Sequence, residues 1–334
     1  MDSVSTIRIK VSETSDPSIA GVDTVRIRDP FDLDIIEPAS GVRIDSTISR
    51  IPSMPHLSSK AKVTGRKNSP VTYYWDFTLK WFHWNPIFED STGKRIGKEW
   101  VPLTAVWSDT LVVSGADTCR SSFQWGNDIR GGFIDTLTVT AKCRARSVTK
   151  SRNTSYRILG LNPSKSDVKD SISRRMQVIL YKESKFCQFG SDSLPVFGSP
   201  AGYGVAMMDP PTSDQQFWSW KANRAAGVTK FAGCVSNAED YGNRIRTGRY
   251  FKHWHYQNAT DLDTNQQRLD AFQQYNGGHH WYWDPDRPRH RNTTGHWYEN
   301  PHLNPGTGDA NGYGRDAERI YQNILRGQYP SEWN

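Results

Sequence analysis

No stretch of this 334-residue chain reaches the roughly 18 consecutive apolar residues of a membrane-crossing helix. Its opening, MDSVSTIRIKVSETSD, lacks the apolar core of a secretory signal. A membrane-embedded class and export by the common route are therefore not expected of the chain as it stands. Cysteine is scarce. The four present, Cys119, Cys143, Cys187 and Cys234, contain no C-x-x-C pair, which argues against a zinc cluster or a dithiol redox motif. One disulfide in each half, Cys187 with Cys234 in the second, stands beside the alternative of four buried thiols. No internal repeat is evident, and charge of neither sign dominates. The 42 Lys and Arg against 35 Asp and Glu leave a formal +7, which suits a polyanionic partner such as an acidic wall polymer or nucleic acid, although solvated faces produce the same number.

Aromatic residues, in contrast, are plentiful. They make up 12% of the chain and include 13 tryptophans, and with 23% charged and 36% hydrophobic residues the composition is that of a soluble globular protein. Indole faces stack on sugar rings and bases, but most tryptophans fill cores. The length suits two domains, each able to bury a core.

The first half reads as β. In VTYYWDFTLKW, Tyr73, Trp75, Phe77, Leu79 and Trp81 alternate with Tyr74, Asp76, Thr78 and Lys80, the period of a half-buried strand. FIDTLTVTAKCRA repeats it, with Leu137, Val139, Ala141 and Cys143 pointing inward. Short alternating runs between Gly, Pro, Asn and Ser turns predict an antiparallel, immunoglobulin-like β-sandwich over residues 1–160. No acids or histidines converge there by spacing, so its expected role is binding, spacing or docking.

Asn162-Pro163-Ser164 ends the β region and caps a helix, and residues 161–334 form a mainly α domain. The expected fold class is thus multidomain α+β. Val168, Ile172, Met176, Ile179 and Leu180 recur at helical spacing, and Glu183 falls about 40° from Ile179 around the axis, inside the apolar stripe. Ser213-Asp214-Gln215-Gln216 predicts a capping box for a helix carrying Phe217, Trp218 and Trp220. A third helix is predicted over TNQQRLDAFQQYNGG, capped by Thr264, and a last one over GRDAERIYQNILRG, burying Ala317, Ile320, Tyr321, Ile324 and Leu325. The long polar segment between these two is expected to be a surface loop near a site.

A buried Glu is rare unless it is paired or has a task. Arg174 or Arg175 could pair with Glu183. Alternatively, desolvation would keep its carboxyl protonated and able to donate a proton to a glycosidic oxygen.

ESKFCQF, then GYGVAMMD, then YNGG on a helix, then a closing helix after NGYG, in that order, resemble the lysozyme-like family of soluble lytic transglycosylases and goose-type lysozymes. The resemblance covers about half the chain, residues 165–327. It implies a lysozyme-like catalytic domain that cleaves peptidoglycan between N-acetylmuramic acid and N-acetylglucosamine, without a metal or cofactor. Glu183, followed by Ser184, takes the place of the catalytic acid, with Gln188 beyond it in the same motif. Gly202, Tyr203, Gly204, Val205, Ala206 and Met207 match the turn that lines the sugar groove. Tyr275 and Asn276 match the pair facing the acid. Trp281 joins Trp218, Trp220 and Trp283 as a candidate for stacking on sugar. Two departures stand out: Met207 replaces the family's glutamine, and of the two aspartates of goose-type enzymes only Asp209 has a counterpart, the other position being Gly198, with Asp192 as a substitute.

If Asp209 or Asp192 positions water, the bond is hydrolysed, the expected outcome with Asp209 as the second catalytic residue beside Glu183; if neither does, Glu183 acts on the substrate's own 6-hydroxyl and leaves an anhydro sugar. His253, His255, His279 and His280 lack acids at a supporting metal-ligand spacing. A β-sandwich joined to such a muramidase resembles an antibacterial effector delivered to a target cell's periplasm by a type VI secretion machine. That resemblance implies a cognate immunity protein and a secretion-machine component as partners. A phage endolysin and a non-catalytic wall-glycan binder with a degenerate lysozyme fold are the alternatives, and nucleic acid is not the expected partner.

Overall fold

The fold is that of a computed structural model, described over residues 4–12, 20–28, 31–37, 39, 43–48, 50–56, 58–65, 70–89, 95–113, 117–123, 127–143, 148–198, 201–209, 211, 213–247, 259–284, 296–300 and 312–334. The chain forms two compact units. The first comprises Met1–Thr47, Met54–His83 and Val101–Leu159; the second comprises Ile48–Ser53, Trp84–Trp100 and Gly160–Asn334.

The first unit is built from strands. β1 (Val4–Ser12) pairs antiparallel with β2 (Ala20–Arg28). β3 (Asp32–Glu37), β5 (Ser58–Thr64) and β8 (Thr118–Ser122) make a three-stranded antiparallel sheet. β4 (Arg43–Ile48), β10 (Val148–Gly160), β9 (Gly132–Cys143), β6 (Val71–Phe88) and β7 (Arg95–Val113) make a five-stranded one, in that spatial order, with residues 84–88 of β6 and 95–100 of β7 belonging to the second unit. The period-two pattern that predicted β6 matches the pleat. Val71, Tyr73, Trp75, Phe77 and Leu79 are buried, as are Leu137, Val139, Ala141 and Cys143 of β9. Burying one face of each strand fixes its register, because a one-residue slip would turn the whole apolar set to water. The three-stranded sheet buries Leu33, Ile35, Ala61 and Val63, and the Ser59 hydroxyl of β5 hydrogen-bonds that of Tyr156 in β10.

The second unit carries seven helices among its described residues. They are α1 (Lys165–Lys169), α2 (Arg174–Ser184), α3 (Gln215–Trp218), α4 (Trp220–Glu239), α5 (Tyr241–Thr247), α6 (Thr264–Asn276) and α7 (Tyr313–Leu325). It also holds the small antiparallel pairs β11 (Phe197–Gly198) with β12 (Gly202–Tyr203) and β13 (Trp281–Asp284) with β14 (His296–Glu299). Its core gathers Met176, Ile179 and Leu180 of α2, Phe231 of α4, Phe272 and Tyr275 of α6, and Ala317 and Ile324 of α7.

Several boundaries differ from those expected. The first helix is two, because Asp170 turns to extended backbone after α1, Ser171 follows at a left-handed φ of 56°, and Ser173 then caps α2 by accepting the Met176 N–H. The second helix also divides. Asp214 makes no side-chain cap bond, whereas Ser219, in extended backbone, accepts the Ala222 N–H and starts α4 afresh. The cap of α6 is Asp263, one residue before Thr264, because Asp263 completes a reciprocal capping box with Gln266. Leu325, expected inside, is 58% exposed. All four cysteines are free thiols, so Cys187 and Cys234 are not joined by a disulfide.

Candidate active site

Glu183 lies one residue before the end of α2. The chain then reverses through Lys185 and Phe186, two consecutive non-glycine residues at φ of 56° and 66°. Such backbone costs on the order of 1 kcal/mol per residue and persists only where packing enforces it. Here the Lys185 N–H caps the helix on the Leu180 and Tyr181 carbonyls, its ammonium lies 3.8 Å from the Tyr181 ring centroid, and Phe186 is buried. Glu183 is thereby fixed at an abrupt helix end.

Across from it runs the turn Gly202–Met208, whose backbone polar groups are taken up by four side chains. Ser184 Oγ donates to the Val205 carbonyl at 2.8 Å. Gln188, fully buried, accepts the Val205 N–H at 3.0 Å and donates to the Gln216 and Phe217 carbonyls. Asn223, equally buried, accepts the Ala206 N–H at 2.7 Å and donates to the Tyr203 carbonyl at 2.8 Å. The Tyr275 hydroxyl donates to the Ala206 carbonyl at 2.8 Å. Gly204 requires its identity: φ is +76°, and a Cβ there would stand 2.5 Å from Asn223 Nδ2. With each buried amide satisfied, the turn is held rigidly.

Two cavities meet at Glu183. One of about 210 Å³ is lined by Glu183, Gly198, Gly202, Met207, Asp209, Lys230, Tyr275 and Asn276. The other, about 740 Å³, shares Glu183 and Asn276 and runs along Tyr181, Lys182, Lys185, Tyr313, Arg319 and Tyr329. Burial pushes the Glu183 carboxyl above the usual carboxylate range. A 2.5 Å hydrogen bond from the Tyr313 hydroxyl, and the Lys230 and Lys182 ammonium groups, pull partly the other way. Burial, reinforced by the neighbouring Glu183 charge, pushes the phenols of Tyr275 and Tyr313 well up, so both stay neutral donors. A partly buried carboxyl whose burial favours the protonated form, with neutral donors around it and an open cleft beside it, has the setting of a general acid.

Six of the residues picked out in the sequence thus line one small cavity: Glu183, Gly202, Met207, Asp209, Tyr275 and Asn276. The others serve differently. Ser184, Gln188 and Gly204 shape the turn from behind. Tyr203 is 2% exposed and its hydroxyl accepts the Trp84 N–H at 2.7 Å, so it is a packing residue of the turn. Trp218, Trp220 and Trp283 are at most 4% exposed and present no face to a sugar. Trp281 packs in a separate cluster with Tyr241, Ile245, Ala259 and Leu262, its indole N–H on the Gln266 carbonyl, and lines neither cavity. Asp192 Oδ1 accepts the Leu194 N–H in an exposed loop. Both oxygens of Asp209 are held by the Arg95 guanidinium, at 3.1 and 3.3 Å.

Among the described residues, Glu183 forms no ion pair with Arg174 or Arg175, the partners its helix suggested. His279 Nδ1 lies 2.9 Å from the buried Asp270 carboxylate, and His280 is itself buried; His253 and His255 fall outside the described residues. Tyr313, Lys230, Asn223 and Arg95 went unassigned in the sequence. Tyr313 sits within NGYG, where spacing gave it no role. Lys230 and Asn223 lie on α4, whose weak apolar periodicity hides which face looks inward.

No family model matches the chain, and no curated protein does. Among solved structures, a family 123 glycoside hydrolase from Clostridium perfringens, described for glycolipid glycan hydrolysis, is similar at 12% identity over 46% of this chain, with a TM-score of 0.23; the likeness spans 32% of that chain. AvmM, which catalyses macrocyclization in alchivemycin A biosynthesis, is similar at 14% identity over 47% of this chain and 97% of its own, with a TM-score of 0.17. At such scores neither likeness supports a shared fold or a shared chemistry.

Proposed function

We propose that the chain is a glycan-cleaving enzyme in which Glu183 protonates the bridging oxygen between two amino sugars. The observation that carries this reading is the Glu183 carboxyl itself: raised by burial, touched by the Tyr313 hydroxyl, and placed where two cavities join. A glycan laid along both cavities would bring a scissile oxygen beside that proton. The turn held by Ser184, Gln188, Asn223 and Tyr275 would offer the substrate a rigid wall.

The proposed substrate is peptidoglycan, cut between N-acetylmuramic acid and N-acetylglucosamine, with the second unit as a lysozyme-like catalytic domain and the first as an immunoglobulin-like docking module. The support for this finer assignment is the ordered set of short motifs at Glu183, Gly202–Met207 and Tyr275–Asn276. In the proposed reaction the base is Glu183 itself, because both Asp209 oxygens already accept hydrogen bonds from the Arg95 guanidinium. Glu183 then works twice. It first donates its proton to the leaving oxygen as the glycosidic bond breaks, and afterwards takes a proton from the substrate's 6-hydroxyl as that oxygen closes on the anomeric carbon. The proposed setting, an effector delivered to another cell's periplasm and countered by an immunity protein, follows from the same motifs. Recovery of a tight inhibitor encoded beside the gene would support that setting.

The test is digestion of purified sacculi followed by mass spectrometry of the released fragments. Anhydro ends are expected, and none when Glu183→Gln replaces the wild type. Reducing ends would show that water is the acceptor and return the base to Asp209. Intact glycan with the wild-type chain would reject the reaction.

A further inference from the structure

Side chains two apart on a strand share a face, which sets Lys98 and Trp100 of β7 side by side. Trp100 is 52% exposed and meets Trp84 of β6 edge-on, with ring centroids 4.7 Å apart. The Lys98 ammonium lies 4.5 Å from the Trp84 centroid and 5.3 Å from that of Phe197, which is 40% exposed. This strand-pair end belongs to the same compact unit as Glu183 and is fastened to the turn beside the small cavity. Trp84 N–H donates to the Tyr203 hydroxyl at 2.7 Å, and Arg95 grips Asp209. The Phe197 ring packs 5.0 Å from that of Tyr203. Phe197 directly precedes Gly198, and Gly198 and Asp209 both line that cavity. The exposed rings are thus joined to residues that line that cavity.

Apolar surface left in water is unfavourable by about 25 cal/mol per Å², and here it is held in place by a cation–π bridge and a bidentate ion pair instead of being buried. A flat aromatic face flanked by an ammonium suits a pyranose, which presents C–H groups on one face and hydroxyls around its edge. We propose that Trp100 and Phe197 form an outer sugar subsite that extends the cleft, so that the rings of Trp84, Trp100 and Phe197 direct the enzyme to long amino-sugar chains over short ones. The inference rests on the glycan-cleaving reading and adds to it a subsite outside the resemblance.

The experiment measures binding apart from cleavage. The full chain carrying Glu183→Gln is titrated calorimetrically with short and long N-acetylglucosamine oligomers, with and without Trp100→Ala, and Trp100→Phe serves as the conservative control. Long oligomers should bind more tightly than short ones to the parent. Trp100→Ala should weaken the long ones by about fivefold to tenfold and leave the shortest unchanged, and Trp100→Phe should restore most of the loss. Unchanged affinity for long oligomers, or an equal loss at every length, would overturn the subsite while leaving the cleavage reading intact. Absence of any oligomer binding would remove both.

Discussion

Replacing Tyr313 with Phe deletes one hydroxyl and tests the electrostatics of the site directly. In the folded protein that hydroxyl donates a 2.5 Å hydrogen bond to Glu183 Oε1, and the bond favours the charged carboxylate against the burial that disfavours it. A hydrogen bond to a charged group contributes about 1.5–3 kcal/mol, and 1.36 kcal/mol corresponds to one pH unit in a titration. Removing it should move the Glu183 titration upward by about 1–2 pH units, nearer the lower figure because the site opens to water and Lys230 and Lys182 remain. A general acid works only while protonated, so cleavage fails as pH rises through this titration. The alkaline limb of kcat/KM for Tyr313→Phe should therefore lie about one unit above that of the wild type, with little change on its acidic side. Titration of the Glu183 carboxyl by carbon NMR, assigned by its loss in Glu183→Gln, reads the same shift without relying on turnover. A limb and a titration that stay put, or move down, would refute the claim that Tyr313 stabilises the anion.

The pull of burial on Glu183 also predicts a stability effect. Its folded titration lies above the unfolded one, so the group destabilises the fold progressively as pH rises from the ordinary carboxylate range through the folded titration; Glu183→Gln should raise Tm at alkaline pH and leave it unchanged in acid. His280 acts at the other end. Burial first, then the Arg315 charge, lowers its titration from 6.5 to about 4, so the unfolded chain takes up a proton in that window while the folded one does not. Stability should fall as pH drops from about 6.5 to about 4, and a His280→Leu variant should flatten that slope in urea denaturation. Gly227→Ala should gain up to about 1 kcal/mol in helix propensity, yet its Cβ would stand 2.4 Å from that of Ala206 and 3.0 Å from the Tyr275 hydroxyl. The expected net loss is about 1–2 kcal/mol in thermal unfolding, together with reduced cleavage. Asn223→Leu would strand the Ala206 N–H and take one of two donors from the Tyr203 carbonyl, which keeps the Met208 N–H, a loss of about 1–3 kcal/mol by denaturant titration.

The alternation in VTYYWDFTLKW and FIDTLTVTAKCRA was enough to orient β6 and β9, because one buried face per strand leaves only one register that keeps indole and aliphatic surface out of water. Glu183 was likewise legible as a carboxylate on an apolar helical stripe, and the short motifs pointed to five of its neighbours around the cavity. Local signals misled where competing caps decided the outcome: Ser173, Ser219 and Asp263 each won a helix start through a side-chain bond that spacing alone does not reveal. Tryptophan count was no guide to tryptophan exposure, since an indole packs into a core as readily as it faces a ligand.

The sequence by itself determined the β-then-α order, the inward faces of the central strands and the acidic residue at the end of α2, because each depends on periodicity between residues near one another in the chain. Tertiary structure alone decided which groups surround that acid. Tyr313 lies 130 positions away from Glu183, and Arg95 lies 114 from Asp209. Which way a carboxyl's titration moves, and which guanidinium engages an aspartate, depends on charge, hydroxyl and solvent within a few ångströms, and only folding brings such distant residues together.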